Sequence, residues 1–193
     1  MTLIDRYQIC TYMIGGIKLE ELIEKAKKGN IEAFTQLIMN LENDLYKIAK
    51  TRITNEADIE DAIQETLIEV YKFIKKLREP QKFKKWLITI LINKCNRIYR
   101  KKHKKDISID EYNLDKILTV YNSSDIENDL NFYSLLKQLK YEERIVIILY
   151  YMEQYSVKDI KDILHMNENT IRTNLYRAKQ KIKNNYEGGI QNG

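Results

Sequence analysis

The fold is decided by two neighbouring stretches, DIEDAIQETLIEV at residues 58–70 and FKKWLITILINKCNRIYRKK at residues 83–102. Six acids and no Lys or Arg lie between residues 56 and 70, whereas residues 81–105 carry ten Lys or Arg and no acid. Apolar residues recur every three or four positions in both stretches, which predicts two amphipathic helices. Such a pair offers one surface to a basic partner and another to a polyanion, most commonly a phosphate backbone. The pattern therefore indicates a chain that bridges a protein and a nucleic acid.

The composition favours an all-helical protein. One proline and six glycines in 193 residues leave few positions that break a helix. A hydrophobic fraction of 44% is ordinary for a folded chain. Because the net charge of +5 is modest, the clustering of charge carries the prediction of a nucleic-acid partner.

Some classes of protein are not expected. Cys10 and Cys95 form neither a disulfide framework nor a zinc spacing, and His103 and His165 lack neighbouring ligands, so we expect no metal and no cofactor. The chain shows no nucleophile–base pair and no phosphate-binding glycine loop, so we expect no enzymatic activity. No run approaches the ~18 apolar residues that cross a bilayer, and the N-terminus does not resemble a signal peptide. We therefore expect a cytoplasmic protein without membrane insertion.

The first helical domain is predicted at residues 18–105, after an N-terminal extension at residues 1–17. Gly29 is typical of a helix stop, and Asn30 is a favourable N-cap for the next helix. Apolar residues then repeat at spacings of three and four as far as Ile48, which predicts one continuous helix over this stretch.

Two further helices complete the predicted first domain. The acidic helix is expected from Asp58 to Ile74, and Pro80 excludes the helical conformation at the residue before it. The basic helix is expected from Phe83 to about Lys102, with a buried stripe that includes Leu87, Leu91 and Ile98. Four helices of this kind can enclose one small core.

The second half of the chain divides into three predicted segments. Residues 106–130 carry seven acids and one lysine, which is typical of a polar linker. A second helical domain is expected at residues 131–185, followed by a tail at residues 186–193. The predicted fold class is all-α, with two small helical domains joined by a flexible linker and a helix-turn-helix in the second domain.

The helix-turn-helix is predicted from two short helices near the C-terminus. Ser156 caps a helix that ends at Leu164, a tight turn follows at His165, and Asn167 caps a second helix. The apolar residues of that second helix repeat at four, three and four: Ile171, Leu175, Ala178 and Ile182. The side chains expected to face DNA are Glu168, Asn169, Arg172, Thr173, Tyr176 and Arg177. A solvated amphipathic helix that binds nothing is the alternative.

With both halves in view, the chain resembles the sigma-70 family of bacterial transcription initiation factors, and most of all its small extracytoplasmic-function (ECF) group. DIEDAIQETL at residues 58–67 is similar to the family pattern D-x-E-D-x-x-Q-E-T-F, with Leu67 in place of Phe. Residues 83–102 follow F-x-x-W-L-x-x-I-x-x-N and a basic run, and residues 139–183 follow family region 4. The resemblance covers roughly residues 18–185.

The resemblance implies a role for each surface. It implies that the acidic helix docks on the clamp helices of the largest subunit of core RNA polymerase, through Asp58, Asp61, Gln64 and Glu65. It implies that the loop before the basic helix, and the helix itself, open and hold the minus-10 promoter element. The candidates there are Lys84, Trp86, Asn93, Lys94, Arg97, Arg100 and Lys101. A packing role is favoured for Trp86 over a stacking role.

The resemblance also implies that residues 167–183 read the minus-35 element. The further partners that it implies are the polymerase flap, promoter DNA and an anti-sigma factor. Two alternatives are open for the acidic linker at residues 106–130: its acids mimic a nucleic-acid polyanion, or the segment is a plain solvated spacer. Three residues depart from the family pattern: Arg97 stands where many relatives carry Asp, Asn174 replaces a frequent Arg, and His165 occupies a turn position often held by Gly.

The sequence therefore predicts an alternative sigma factor of the ECF type, although the related toxin-type sigma factors share the same two-region plan. The principal alternative is a stand-alone helix-turn-helix transcriptional regulator, which leaves the acidic helix and the motif at residues 83–102 unexplained. A sigma-like decoy that occupies polymerase without initiating transcription is a second alternative.

Overall fold

The computed structural model describes residues 13–14, 17–53, 55–103, 136 and 138–190. Two short strands, β1 (Met13–Ile14) and β2 (Ile17–Lys18), pair antiparallel ahead of the helices. The helices are α1 (Leu19–Lys27), α2 (Ile31–Met39), α3 (Glu42–Lys50), α4 (Glu56–Phe73), α5 (Phe83–His103), α6 (Tyr141–Ile147), α7 (Val157–Leu164) and α8 (Glu168–Ile190). The all-α class is confirmed. The predicted acidic linker at residues 106–130 lies outside the described residues.

The first predicted helix boundary is confirmed at Gly29 and Asn30. Gly29, two residues after the end of α1, has a φ of +92°, a left-handed conformation that favours glycine. The side chain of Asn30 then accepts a hydrogen bond from the backbone N–H of Ala33 at 2.8 Å, which caps the start of α2.

The prediction of one helix from Asn30 to Ile48 is wrong, because the chain breaks between α2 and α3. The backbone N–H of Asn40 and its side-chain amide both donate to the carbonyl of Gln36, the amide at 2.6 Å. The next residue, Leu41, donates back only three residues, to Ile38 at 2.8 Å. This local bonding ends the α-helical pattern. Within residues 19–103, the part of this half that carries the described helices, five α-helices therefore stand where four were predicted.

Helices α4 and α5 carry the two charged stretches and pack against each other. Asn55 caps α4 by accepting a hydrogen bond from the backbone N–H of Asp58 at 3.1 Å. Two single turns of 3-10 helix, Ile74–Lys76 and Pro80–Lys82, connect α4 to α5. The buried residues of α5 include Phe83, Leu87, Ile88, Leu91, Ile92 and Cys95, and burial raises the pKa of the Cys95 thiol to about 12.

In the C-terminal part, α6 continues as a five-residue π-helix, Ile148–Met152. The cap of Ser156 on α7 is confirmed, since its hydroxyl accepts from the backbone N–H of Asp159 at 3.1 Å. His165 ends α7 in the left-handed conformation with a φ of +53°. Asn167 then accepts from the backbone N–H of Asn169 at 2.9 Å, just before α8.

We call residues 19–103 the N-terminal unit and residues 136–190 the C-terminal unit. Their buried apolar residues form one contiguous core, because α5 of the N-terminal unit packs directly on α7 of the C-terminal unit. The two predicted domains are thus in close contact in this structure, which places the basic helix against the helix-turn-helix.

Candidate nucleic-acid interface

The acidic face of α4 points outward, because the other side of the helix is buried through Ile59, Ala62, Thr66 and Val70. Of the four residues predicted to meet a protein partner, Asp61 and Gln64 are exposed, and Asp58 and Glu65 are half-buried. The structure therefore brings the four together along one accessible side of the helix.

The outward side of α5 carries part of the predicted basic surface. Asn93, Arg97, Arg100 and Lys101 are exposed, and Lys94 is half-buried. Trp86 is half-buried and meets Phe83 edge-on, with ring centroids 6.3 Å apart. This contact agrees with the packing role favoured for Trp86.

The acidic and basic surfaces contact each other along the α4–α5 interface. Lys94 forms an ion pair with Glu69, and its Nζ lies 3.9 Å from the carboxylate of Glu65. Arg97 donates a hydrogen bond to Glu65. A residue predicted to bind protein is thus bonded to one predicted to bind DNA, a link between the two surfaces that the sequence analysis missed.

The start of α5 is held by acids from both units. Lys84 Nζ lies 2.7 Å from the carboxylate of Asp44 on α3 and 2.8 Å from that of Glu153 in the C-terminal unit. Lys85 Nζ lies 2.7 Å from Asp159 and 2.8 Å from Asp162, both on α7. Lys84 is a predicted minus-10 residue, whereas the sequence analysis did not select Lys85.

These contacts shift the titration of the charged groups. Burial alone would lower the pKa of Lys84, but Glu153 and Asp44 outweigh it and raise that pKa above its ordinary value. Hydrogen bonds to Asp159 and Asp162 likewise overcome burial and raise the pKa of Lys85. Lys85 in turn lowers the pKa of both aspartates. The ion pairs of Lys85 are therefore fully charged at neutral pH.

A second junction joins the units around Arg52, which is buried. Its guanidinium donates hydrogen bonds to the side chain of Asn96 on α5 and, at 2.6 Å, to the hydroxyl of Tyr141 on α6. The ring of Tyr141 stacks on Tyr99 with centroids 5.7 Å apart. Burial raises the pKa of Tyr141 to about 12, even though Arg52 opposes the shift.

The second helix of the helix-turn-helix, α8, presents its predicted polar face to solvent. Ile171, Leu175 and Ala178 are buried, and Ile182 is half-buried, which confirms the predicted apolar face. The exposed residues include Asn169, Arg172, Thr173, Tyr176 and Arg177. Glu168 is half-buried and lies 3.3 Å from Lys161 on α7.

Comparison with known proteins agrees with this arrangement. A family model described as Sigma-70 region 2 matches residues 37–105, and one described as Sigma-70, region 4 matches residues 129–182. Together the two matches span most of the chain, in the order that the sequence predicts. The chain belongs to the sigma-70 family. It is an alternative sigma factor, which binds core RNA polymerase and directs promoter-specific transcription initiation.

Curated relatives place this sigma factor in the ECF group. It is 27% identical to RNA polymerase sigma factor SigV of Bacillus subtilis, over 80% of this chain and 91% of the relative. It is also 27% identical to the ECF sigma factor SigW of the same organism, over 86% of this chain and 95% of the relative. The ECF sigma-E factor of Haemophilus influenzae is 25% identical, over 86% of this chain and 93% of the relative.

Two solved structures share the fold of this sigma factor. CnrH, in complex with the cytosolic domain of CnrY, superposes with a TM-score of 0.60 at 21% identity, covering 88% of this chain and 97% of CnrH. RpoE of Bartonella quintana, in complex with the anti-sigma factor NepR, superposes with a TM-score of 0.59 at 22% identity. That match covers 78% of this chain and 94% of RpoE.

The sequence analysis also missed an aromatic patch on the C-terminal unit of the sigma factor. Tyr150 and Tyr151 are exposed with ring centroids 5.0 Å apart, and Lys179 Nζ lies 5.4 Å from the centroid of the Tyr151 ring. The sequence signal for this patch was two adjacent tyrosines within an apolar run, but an apolar run of this kind is usually buried in the core.

Within the described residues, no group of three or more His, Cys, Asp or Glu is placed to hold a metal ion. In the same part of the chain, no helix is both long enough and apolar enough to cross a membrane.

Proposed function

We propose that this sigma factor divides promoter recognition between two helices, with α5 and the loop before it on the minus-10 element and α8 on the minus-35 element. The single observation that carries the proposal is the exposed polar face at the N-terminal half of α8, held in a capped helix-turn-helix. In this motif the N-terminal half of the second helix enters the major groove.

On α8, Arg172 and Asn169 are the proposed base-reading residues. Arg pairs with the two acceptors of guanine, and Asn pairs with adenine. Glu168, Thr173 and Tyr176 complete the proposed surface, and Arg177 contacts phosphate. The exposure of Asn169, Arg172, Thr173, Tyr176 and Arg177 supports these roles, whereas the half-buried Glu168 pairs with Lys161.

On α5, the proposed minus-10 surface comprises Lys84, Asn93, Lys94, Arg97, Arg100 and Lys101, with Trp86 supporting the start of the helix. Cations favour separation of the DNA strands because they bind the phosphates of an unpaired strand. The exposed row of Asn93, Arg97 and Arg100 supports this assignment.

On α4, we propose that Asp58, Asp61, Gln64 and Glu65 dock on the clamp helices of the largest polymerase subunit, while the C-terminal unit meets the flap. The support is an acidic, outward-facing surface on a helix whose other side is fully packed. Charge of one sign on a rigid helix favours a basic partner.

The boundaries that follow from these roles are residues 18–105 for region 2 and 131–185 for region 4, with residues 106–130 as the linker between them. An anti-sigma factor is a further proposed partner, supported by the complexes in which the two similar structures were solved. The proposed location is the cytoplasm, where polymerase and promoter meet, and the proposed role involves no catalysis by this chain.

The test adds the purified chain to sigma-free core polymerase with fragmented genomic DNA and maps the run-off transcripts. The expected result is a set of discrete start sites that share two upstream motifs. A matched reaction with the Arg172→Ala variant separates promoter-directed starts from end-initiated background.

Two results would count against the proposal. Tight core binding without transcripts would point to a decoy. Specific DNA binding without any core binding would favour a stand-alone regulator, which usually dimerises to read two half-sites.

A further inference from the structure

The end of α4 and the loop after it carry positive charge that the described part of the chain does not neutralise. Residues 71–78, YKFIKKLR, hold four Lys or Arg and no acid. Lys75, Lys76 and Arg78 are exposed, and within the described residues no acid forms an ion pair with any of them. Several cations of α5, by contrast, engage carboxylates of neighbouring helices. A polyanion can therefore reach this segment without displacing an internal acid.

Phe73 is an exposed aromatic residue among these cations. It ends α4, is 41% exposed, and its ring centroid lies 4.8 Å from Lys76 Nζ. A single exposed apolar side chain is common at protein surfaces, so its exposure alone indicates nothing. The combination of an accessible aromatic ring with several cations is more informative, because single-stranded nucleic acids bind through stacked bases and through phosphates held by cations.

The position of Phe73 places it at the edge of the proposed minus-10 surface. Glu65, Glu69 and Phe73 follow one another at spacings of four, so they lie on the same side of α4. Glu65 accepts a hydrogen bond from Arg97, and Glu69 pairs with Lys94. Since α4 and α5 run antiparallel at these contacts, Phe73 lies beyond Lys94, toward the loop that leads into α5.

We propose that Phe73 is a base-stacking residue, which holds one unpaired base of the opened minus-10 element while Lys75, Lys76 and Arg78 bind the adjoining phosphates. The proposal rests on the proposed minus-10 role of α5 and of the loop before it. It extends that surface to the end of α4, a helix otherwise assigned to polymerase docking.

A base fits this surface better than the side chain of a protein partner does. The centre of a protein interface is usually depleted of lysine, because burying an ammonium removes its water. A DNA strand avoids this cost, since its base covers the ring while its phosphate stays beside the cation. Lys76 lies over the Phe73 ring, so one nucleotide has both contacts within reach.

The first test measures binding of the holoenzyme to a fluorescein-labelled promoter, found by run-off mapping, whose minus-10 region is held open by mismatched bases. Phe73→Leu should weaken this binding about five- to 20-fold, because leucine keeps an apolar side chain but lacks a ring on which a base can stack. Phe73→Trp should bind within about twofold of the wild type, since its ring still stacks. Wild-type affinity in Phe73→Leu would overturn the proposal.

The second test asks whether the ring contacts one particular base. Single abasic sites are placed in turn along the open strand. In the wild type, one of these sites should weaken binding about as much as Phe73→Leu does, and the two changes together should cost less than about twofold more than either alone. Losses that add in full at every site would show that the ring meets no base, and the proposal would fail.

Two controls separate stacking from other roles of an exposed apolar residue. Met39→Ala removes a side chain that is 67% exposed on α2 and should change strand binding by less than about twofold. Titration with core polymerase should give Phe73→Leu the wild-type affinity. A loss of core affinity as large as the loss of strand binding would identify Phe73 as a protein contact and contradict the proposal. Run-off transcription by the wild type tests the sigma function separately, since it involves no change at Phe73.

Discussion

Helices α5 and α8 are both basic and are both proposed to contact DNA, yet their charged side chains differ in their partners within the protein. On α5, four cations engage acids of other helices: Lys84, Lys85, Lys94 and Arg97. On α8, Arg172 and Arg177 are exposed to solvent. One proposed reader is therefore largely neutralised by the rest of the chain, and the other is presented directly.

The difference suggests why a sigma factor of this kind needs its polymerase. In the proposed arrangement, melted DNA would have to replace Asp44, Glu153, Asp159 and Asp162 at the start of α5, whereas duplex DNA would reach Arg172 and Arg177 on α8 directly. The Lys85 pairs with Asp159 and Asp162 are partly exposed, and pairs at the protein surface contribute only about 0.2–1 kcal/mol each, so a large partner that engages both units can break them.

The largest expected effect follows from removal of the main base-reading residue on the exposed helix. Arg172→Ala should weaken recognition of the minus-35 element by ~1–3 kcal/mol, or about 5- to 150-fold, because a paired guanine contact is lost. Binding of the holoenzyme to promoter variants measures this loss.

Gln180→Ala, at an exposed position of the same helix, is the matched control and should behave as wild type. An unaltered promoter preference in Arg172→Ala would contradict the proposed minus-35 role of α8, and with it the proposed difference between α5 and α8.

The next effect concerns the acidic face of α4. Asp61→Ala with Glu65→Ala should weaken binding to core polymerase about tenfold, since each exposed charge contact contributes up to about 1 kcal/mol. Titration of labelled protein with core polymerase gives the affinity, and circular dichroism should show an intact fold. Glu32→Ala on α2 removes an exposed acid outside this face and should leave the affinity unchanged.

Much of the local structure was predictable from sequence because it depends on neighbouring residues. The caps at Asn30, Ser156 and Asn167 involve bonds that span two or three residues, and all three are confirmed. The break at Asn40 was missed because the apolar repeat continues through it. The hydrogen bond of the Asn40 side-chain amide ends the helix there despite that repeat.

The ion pairs of Lys84 and Lys85 at the start of α5 could not be predicted from sequence. Lys85 pairs with acids 74 and 77 residues away in the chain, and no periodic pattern connects positions so distant. The bond between Arg97 and Glu65 spans 32 residues and joins two surfaces that the sequence analysis assigned to different partners. Local reasoning recovers the residues of each surface but not the contacts between surfaces.

A smaller effect is expected on α5, where other cations remain. Asn93→Ala with Arg97→Ala should slow opening of the minus-10 element several-fold while changing initial promoter binding less than about twofold, because strand capture follows docking. Permanganate reactivity of thymines in the melted strand measures the opening.

Lys28→Ala, an exposed cation outside α5, is the control for overall charge in the opening experiment. Equal losses in promoter binding and in opening would show that Asn93 and Arg97 act before melting. Helices α5 and α8 would then not differ in the step at which they contact DNA.

The smallest effect concerns the turn that presents α8. His165 adopts a left-handed conformation that glycine accepts without a side-chain penalty. His165→Gly should therefore raise the free energy of unfolding by about 0.5–1 kcal/mol and leave minus-35 binding unchanged. Urea denaturation measures the stability. A destabilised variant would show that the His165 side chain has a role that its backbone conformation does not reveal.

The most direct test of the account is an electron cryomicroscopy structure of the chain with core polymerase and an opened promoter found by run-off mapping. We expect α8 in the major groove of the minus-35 element, α5 beside the separated strand at minus-10, and Lys84 and Lys85 against phosphates instead of Glu153, Asp159 and Asp162. A complex in which α5 still packs on α7 with those ion pairs intact would contradict it.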